Sequence, residues 1–538
     1  TKGGLYLSED GGLNWTRVNR DHLIRQRAWY YSKIFAHPTE EHSLFIVNVS
    51  LFKSTDDGRS IKNIPAPHSD HHYVWINPKH PDYLINCNDG GVNVSFNGGK
   101  TWSTQWNQPT GEFYRVTVDN QFPYRVYGAQ QDNSTISMPS RGGDIHPASG
   151  LYEVGGGESG HIAVDPRNPD IVYAGTYIGI ISRIDRSKDS YKRVGAYPEL
   201  YDGIEGRNLK YRFQWNAPIR FSPHDPNVLY ITSNYVHRST DEGHTWQVIS
   251  PDLTNNIDKY LDIPGEPIQN DNTSVELYST IFAFEESPLE KGVLWAGSDD
   301  GLVHISRDNG ASWKNITPKG MPKEGTVNMI DLSAHQKGRA HVAVYKYRDN
   351  DFRPYVYQTN DYGKSWKLLT SGTNGIPADY FVRVVREDPA REGLLYAGTE
   401  FGMFISFDNG AKWQSFQQNL PITPITDVAV HNNDLVVSTQ GRAYWILDDL
   451  SPLHDWKQNG ETQLLVPGVA YRTQISNGRG GFRPDPAPTG ALLHYYLPKA
   501  DSVEIIINDV NGNEVNRYKN IAGKSGINRF SWDLTYPK

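Results

Sequence analysis

The chain has 538 residues, several times what one core of ~150 residues requires, so it holds either several domains or a repeat architecture. With 37% hydrophobic and 21% charged residues it is not a disordered chain. A net charge of −8 without any Lys/Arg-rich block argues against a nucleic-acid partner, no run of ~18 apolar residues is present to span a membrane, and a lone Cys87 excludes internal disulfides and makes a thiolate metal site unlikely.

Taken in chain order, the first element is a strand at Gly4-Leu5-Tyr6-Leu7 running into Ser8. It opens inside a repeat, which predicts that the chain continues upstream and that any export signal lies there. The repeat itself is Ser/Thr-x-Asp-x-Gly-x-x-Trp, usually after an alternating apolar strand. Its copies start at Ser8, Ser54, Ser95, Ser239, Ser306, Thr359 and Ser406. The second copy ends in Ile61 instead of Trp, and the third has Asn97 for Asp. Successive gaps are 46, 41, 144, 67, 53 and 47 residues. The gap of 144 accommodates two further repeats without the motif, at Tyr114–Gly128 and His161–Gly175; the gap of 67 is one repeat plus a polar insertion near Pro251–Thr273. A last repeat covers Leu435–Asp449.

A period of ~40–50 residues with several short strands each is that of a propeller blade. Ten blades are counted, the first incomplete. In each turn the Asp and Ser/Thr side chains bond backbone N–H groups, Gly supplies a positive φ, and Trp packs between blades. The fold class is therefore all-β: β-propeller blades followed by a small β-sandwich. The repeat stops before 457, so the expected later boundaries are 457–488 for a Gly/Asn/Pro-rich linker and 489–538 for the sandwich. The strands of the last segment are Leu492–Leu497, Ser502–Ile507 and Asn528–Asp533, around an Asp509–Gly512 turn.

The turn boxes, together with Arg25–Tyr31, His68–His72, Asn88–Gly91, Tyr127–Asn133, Gly155–Gly160 and Gly441-Arg442 with Leu447–Asp449, resemble bacterial sortilin-like propeller proteins carrying neuraminidase-type (BNR, Asp-box) repeats, a family labelled "glycosyl hydrolase" on repeat similarity. The resemblance covers nearly the whole chain. It implies two consecutive propellers, here the end of one seven-bladed propeller at 1–110 plus a second complete one at 111–456, a C-terminal immunoglobulin-like domain, and a secreted or envelope-exposed location. Two relatives of that group differ in use: sortilin binds peptides inside a ten-bladed ring, and xyloglucan-cleaving hydrolases work in a cleft between two seven-bladed propellers with one carboxylate from each.

Glycoside hydrolysis needs two carboxyls ~5–9.5 Å apart. Asp89, in Asn-Asp-Gly-Gly, resembles the context of catalytic acids in two-propeller hydrolases, or caps a turn as Asp299-Asp300-Gly301 and Glu400-Phe401-Gly402 would at the same blade position. Asp132 and Glu158 break the repeat consensus at loops between blades 4 and 5. Three glycines before Glu158 would let backbone approach a ligand. Arg115, Gln130, Gln131, Tyr211, Arg212 and Trp215 supply guanidinium, amide and aromatic groups for ligand binding or for packing between blades. His68, Asp70, His71 and His72 have metal-ligand chemistry, but on a strand His71 and His72 point to opposite faces, so no metal is expected there. No cofactor is expected, and no nucleophile elbow, P-loop or dinucleotide fingerprint is present.

Two functions are compatible with these residues. The first is a propeller that binds a glycan, peptide or protein in its ring or inter-propeller cleft. The alternative is a glycoside hydrolase acting through a carboxylate pair.

Overall fold

The computed structural model describes residues 3–105, 108–141, 150–197, 199–265, 270, 272–470 and 490–536. The expected linker lies outside these residues from 471 on, as do residue 489 and the last two residues of the chain. The described chain is almost wholly β, with one α-helix at Ser451–Asp455 and a few 3-10 turns.

Ten successive antiparallel sheets form the blades. They run Leu5–Asn19 (blade 1, two strands), Lys33–Asn63 (2), His71–Ser95 (3), Thr117–Glu153 (4), Ile162–Arg193 (5), Ile219–Val248 (6), Ile281–Asn315 (7), Thr326–Leu368 (8), Val382–Ser415 (9) and Ile425–Leu447 (10). Seven of them are four-stranded meanders in which each strand pairs with the next. The all-β propeller-blade class expected from the period is thus the observed one. After blade 10 come two small sheets, one of three strands (Gln463–Leu464, Ala491–Leu497, Gly526–Trp532) and one a hairpin (Asp501–Asn508, Glu514–Gly523).

The repeated turn explains how blades meet. In the Ser306 copy, Ser306 Oγ accepts from Gly310 N at 2.9 Å, and Asp308 Oδ1 accepts from Ser312 N at 2.8 Å. These bonds hold two left-handed residues in succession, Asn309 (φ 58°) and Gly310 (φ 89°). Trp313 Nε1 then donates to Ile249 O at 2.8 Å, just past the outermost strand of blade 6. The pattern recurs for Trp102 on Pro65 O, Trp246 on Val194 O, Trp366 on Ile316 O and Trp413 on Leu369 O. A Cβ on Gly310 would lie 2.8 Å from Ile249 O, so the turn presses directly on the neighbouring blade.

The chain falls into two compact units. One comprises Thr1–Thr110 with Glu199–Lys210 and Ile257–Tyr278; the other comprises Gly111–Pro198, Tyr211–Asn256 and Ser279–Lys538. The second holds blades 4 to 10, and its last blade is bonded back to its first. Phe113 N donates to Thr439 O (3.0 Å), Glu112 bridges Gln440, Val116 N donates to Asp427 Oδ2 (3.3 Å), and Tyr124 OH donates to Asp434 Oδ2 (2.9 Å). Tyr444 of blade 10 reaches Arg115 O at 3.1 Å across Gly128, where any Cβ would overlap its hydroxyl.

Gly310→Ala is expected to destabilise the ring by about 2–4 kcal/mol, combining left-handed strain with overpacking. Trp313→Phe should cost about 1–2 kcal/mol for an orphaned carbonyl. Both should appear as lower melting temperatures in calorimetry, with the glycine variant the lower of the two.

Candidate active site

In an antiparallel meander the end of the second strand lies beside the start of the first, so the hairpins between second and third strands and the segments entering each blade share one end of the sheet. Asp132 sits in such a hairpin, between Arg125–Gln130 and Ser134–Pro139; Glu158 lies in the entry to Ile162–Val164. The two carboxyls therefore meet at this end of blades 4 and 5.

Their contact is direct. Glu158 Oε2 accepts from Asp132 N and from Gln131 Nε2, each at 3.1 Å. Asp132 holds a left-handed conformation (φ 57°), which aspartate tolerates and which turns its N–H onto Glu158. Burial, reinforced by the hydrogen bond and charge of Asp132, pushes the Glu158 carboxyl from its ordinary 4.5 up to about 8. Burial and the neighbouring Asp132 thus favour the protonated form of Glu158.

Around the dyad stand groups from distant parts of the chain. Tyr114 OH donates to Gln131 Oε1, and its ring lies 5.4 Å from that of Trp215. Burial, together with the charges of Glu112, Asp132 and Glu158, raises the Tyr114 hydroxyl well above its usual range. Burial and the neighbouring Glu158 raise Tyr177 to about 12. Glu112 flanks the other side of the hairpin: its carbonyl accepts from Gln131 N at 3.0 Å and its Oε1 from Gln440 Nε2 at 2.8 Å.

Asp132 and Glu158 lie side by side, joined through Glu158 Oε2 and Asp132 N. One expectation is corrected here: the glycines before Glu158 do not open space for a ligand. Cβ atoms at Gly155, Gly156 and Gly157 would lie 2.2 Å from Ile184, 2.9 Å from Ala174 and 2.3 Å from Thr176, so these glycines fit the segment against its own blade.

The first unit carries a separate cluster on Asp89, which lies in the corresponding hairpin of blade 3. His72 Nε2 is 2.7 Å from Asp89 Oδ1, and Tyr30 OH donates to Oδ2 at 2.9 Å. His71 turns the opposite way, buried, with Nδ1 3.1 Å from Asn86 Oδ1; His68 Nδ1 meets Ser69 O, and Asp70 accepts from Tyr31 and Ser69. Among the described residues no three His, Cys, Asp or Glu side chains converge as metal ligands.

The remaining candidates are spread out. Gln130 closes the strand pair with Ser134 and bridges Phe113. Arg115 is 5% exposed and reaches Asn328 Oδ1 at 3.3 Å on the axis of the second unit. There Arg220 pairs with Glu285 (2.8 Å), and Arg386 with Asp331 (3.3 Å) and Asp427 (3.2 Å). Polar side chains of the inner strands thus fill the axis with paired charge. Arg212, 4% exposed, holds Ser279 O, Asp252 and Thr254. Tyr211 packs edge-on against Tyr197, Tyr235 and His237.

Sequence reading missed Glu112, Tyr177 and Gln440. Only Glu112 carried a signal, its place two residues before the Tyr114-Arg115 pair.

No family model matches the chain. It is 21% identical over 505 residues to the oligoxyloglucan-reducing end-specific xyloglucanase of Emericella nidulans, a match covering 84% of this chain and 54% of that one. The chain therefore spans about half the length of that relative. Among solved structures it is similar to the GH74 enzyme of Niastella koreensis (14% identity, 98% of this chain and 87% of that one, TM-score 0.27) and to YCF48 from Cyanidioschyzon merolae (10% identity, 72% and 98%, TM-score 0.36). No helix among the described residues is long and apolar enough to cross a membrane.

Because the folded Glu158 titrates near 8 and the unfolded one near 4.5, its contribution to stability is complete below about pH 4.5 and is lost as pH rises through 8. Glu158→Gln should therefore gain melting temperature relative to the parent chain as pH is raised from 5 to 9. Equal shifts at both pH values would refute the raised pKa of Glu158.

Proposed function

We propose that the chain is a glycoside hydrolase module acting on a polysaccharide, with Glu158 as the general acid. The observation that carries this reading is the Glu158 carboxyl bonded to Asp132 N and Gln131 Nε2 in a setting that favours its protonated form, next to an aromatic pair, Tyr114 and Trp215, suited to a sugar ring. The xyloglucanase relative supports xyloglucan as the first substrate to try. In this reading Glu158 donates its proton to the glycosidic oxygen as the bond to the anomeric carbon breaks. Glu158 is left as a carboxylate, which the N–H of Asp132 and the amide of Gln131 are placed to stabilise. Glu112, on the far flank of Gln131, is assigned to activate the attacking water. Asp89, fixed by His72 and Tyr30, is proposed as a catalytic carboxylate of the first unit. A polysaccharide substrate is met outside the cytoplasm, in keeping with a secreted or envelope location.

Binding without turnover is the competing reading. The charged axis of the second unit disfavours a ligand threaded through that ring, so any such binder would use the same face as Glu158.

Reducing-sugar release from a glucan panel led by xyloglucan tests the proposal. Glu158→Gln should lower kcat by roughly 10²–10⁴-fold, and Asp132→Asn and Asp89→Asn by measurable factors. Parent activity should decline as pH rises through about 8, where Glu158 loses its proton. An active parent chain whose Glu158→Gln variant keeps full activity would sink the assignment of the acid.

A further inference from the structure

The main chain of Gln131 is fixed on both sides of the hairpin that carries Asp132. Its N donates to Glu112 O at 3.0 Å, and its O accepts from Asn133 Nδ2 at 2.9 Å. Only the side-chain amide has a choice left. A primary amide has one accepting and one donating end, and a half turn about its last bond exchanges them. Here Nε2 faces Glu158 Oε2 at 3.1 Å and Oε1 faces the Tyr114 hydroxyl. The opposite orientation would set a carbonyl oxygen against the carboxylate that Glu158 becomes on losing its proton.

Tyr114 is the group that selects between the two. Burial and the surrounding acids keep its phenol un-ionised, so it has a proton to give to Oε1. Its ring lies 5.4 Å from that of Trp215, and Trp215 O accepts from the Oγ of the buried Ser159 at 3.0 Å. The phenol is thus anchored to the same segment that carries Glu158. The second donor to Oε2, Asp132 N, is set by the hairpin backbone and needs no such guide.

We propose that Tyr114 is a positioning residue for the acid: by donating to Gln131 Oε1 it holds the amide with Nε2 toward the carboxylate that proton transfer leaves on Glu158. The proposal rests on the reading of Glu158 as the general acid. The titratable groups around this network are Asp132, Tyr177, Tyr114 and Glu112, of which the test alters only Tyr114. A hydrogen bond donated to the charged form favours ionisation, so its loss moves ionisation to higher pH.

The test is a carbon-13 NMR titration of the full chain labelled at glutamate carboxyls, the Glu158 resonance being the one missing from Glu158→Gln. Gln131→Met should raise the pH of half-ionisation above the parent's by about one unit, the loss of one charge-assisted hydrogen bond. Tyr114→Phe, which keeps the ring, should raise it by part of that. The double variant should titrate with Gln131→Met alone. Should Tyr114→Phe melt early, Tyr114→Met, which also lacks the hydroxyl, is read in the same way. A Tyr114 variant that titrates as the parent does overturns the proposal, and so do additive shifts in the double variant. The titration needs no substrate. An inactive parent chain would therefore count against hydrolysis alone, and an unmoved titration in an active chain against the positioning alone.

Discussion

The contact on which the structure depends is the seat of one blade's turn on the edge of the blade before it. The tryptophan indole donates to a carbonyl just past the outermost strand, and the glycine, lacking a Cβ, lets the turn press on that same residue. Each indole bond contributes only about 1 kcal/mol net. Leaving the carbonyl buried and unpaired would cost more, and the arrangement recurs along the chain. The Ser/Thr and Asp side chains make it feasible by satisfying the N–H groups that two consecutive left-handed residues turn away from the sheet. Trp15, in blade 1, instead donates back to Gly12 O and is 61% exposed.

Because these seats fix the outer edges of the blades, their inner strands converge, and the convergence decides what the axis of the second unit contains. Arginines from blades 6 and 9 meet carboxylates from blades 7, 8 and 10. Burial alone would penalise each charge severely, but every one of these guanidiniums has an acid within hydrogen-bonding reach. The charge opposite Arg386 outweighs its burial and holds its guanidinium more firmly protonated than usual, while His161, flanked by Arg220, is buried neutral. The break in the consensus, by contrast, lies at the end of blades 4 and 5, in the hairpin of Asp132 and the entry segment of Glu158.

The period was legible in the sequence because its cause is local: Ser306, Asp308, Gly310 and Trp313 lie within eight residues and carry the turn by themselves. Asp132 and Glu158 were legible as departures from that consensus, although their mutual contact was not, since it follows from the positive φ of Asp132. Glu112 escaped notice because its setting is made by ring closure, which brings residue 112 to residue 440. Arg115 and Arg212 read as ligand groups because a buried guanidinium and an exposed one look alike in a sequence; burial and partners separate them. The glycines at 155–157 showed the converse error, close approach to the chain's own strands taken for approach to a ligand. The insertion near Pro251–Thr273 was visible as excess length. Its partnership with residues 199–210 was not, because an entire blade separates the two segments.

That partnership governs how the molecule can be divided. The polypeptide passes from one unit to the other after residues 110, 198, 210, 256 and 278. A cut at residue 110, which the blade count alone would recommend, strips the amino-terminal unit of two of its segments and leaves them stranded on the remainder. The two halves are interlaced along the chain, not strung in tandem, so gene fusion, truncation or recombination at the apparent joint would yield two incomplete bodies.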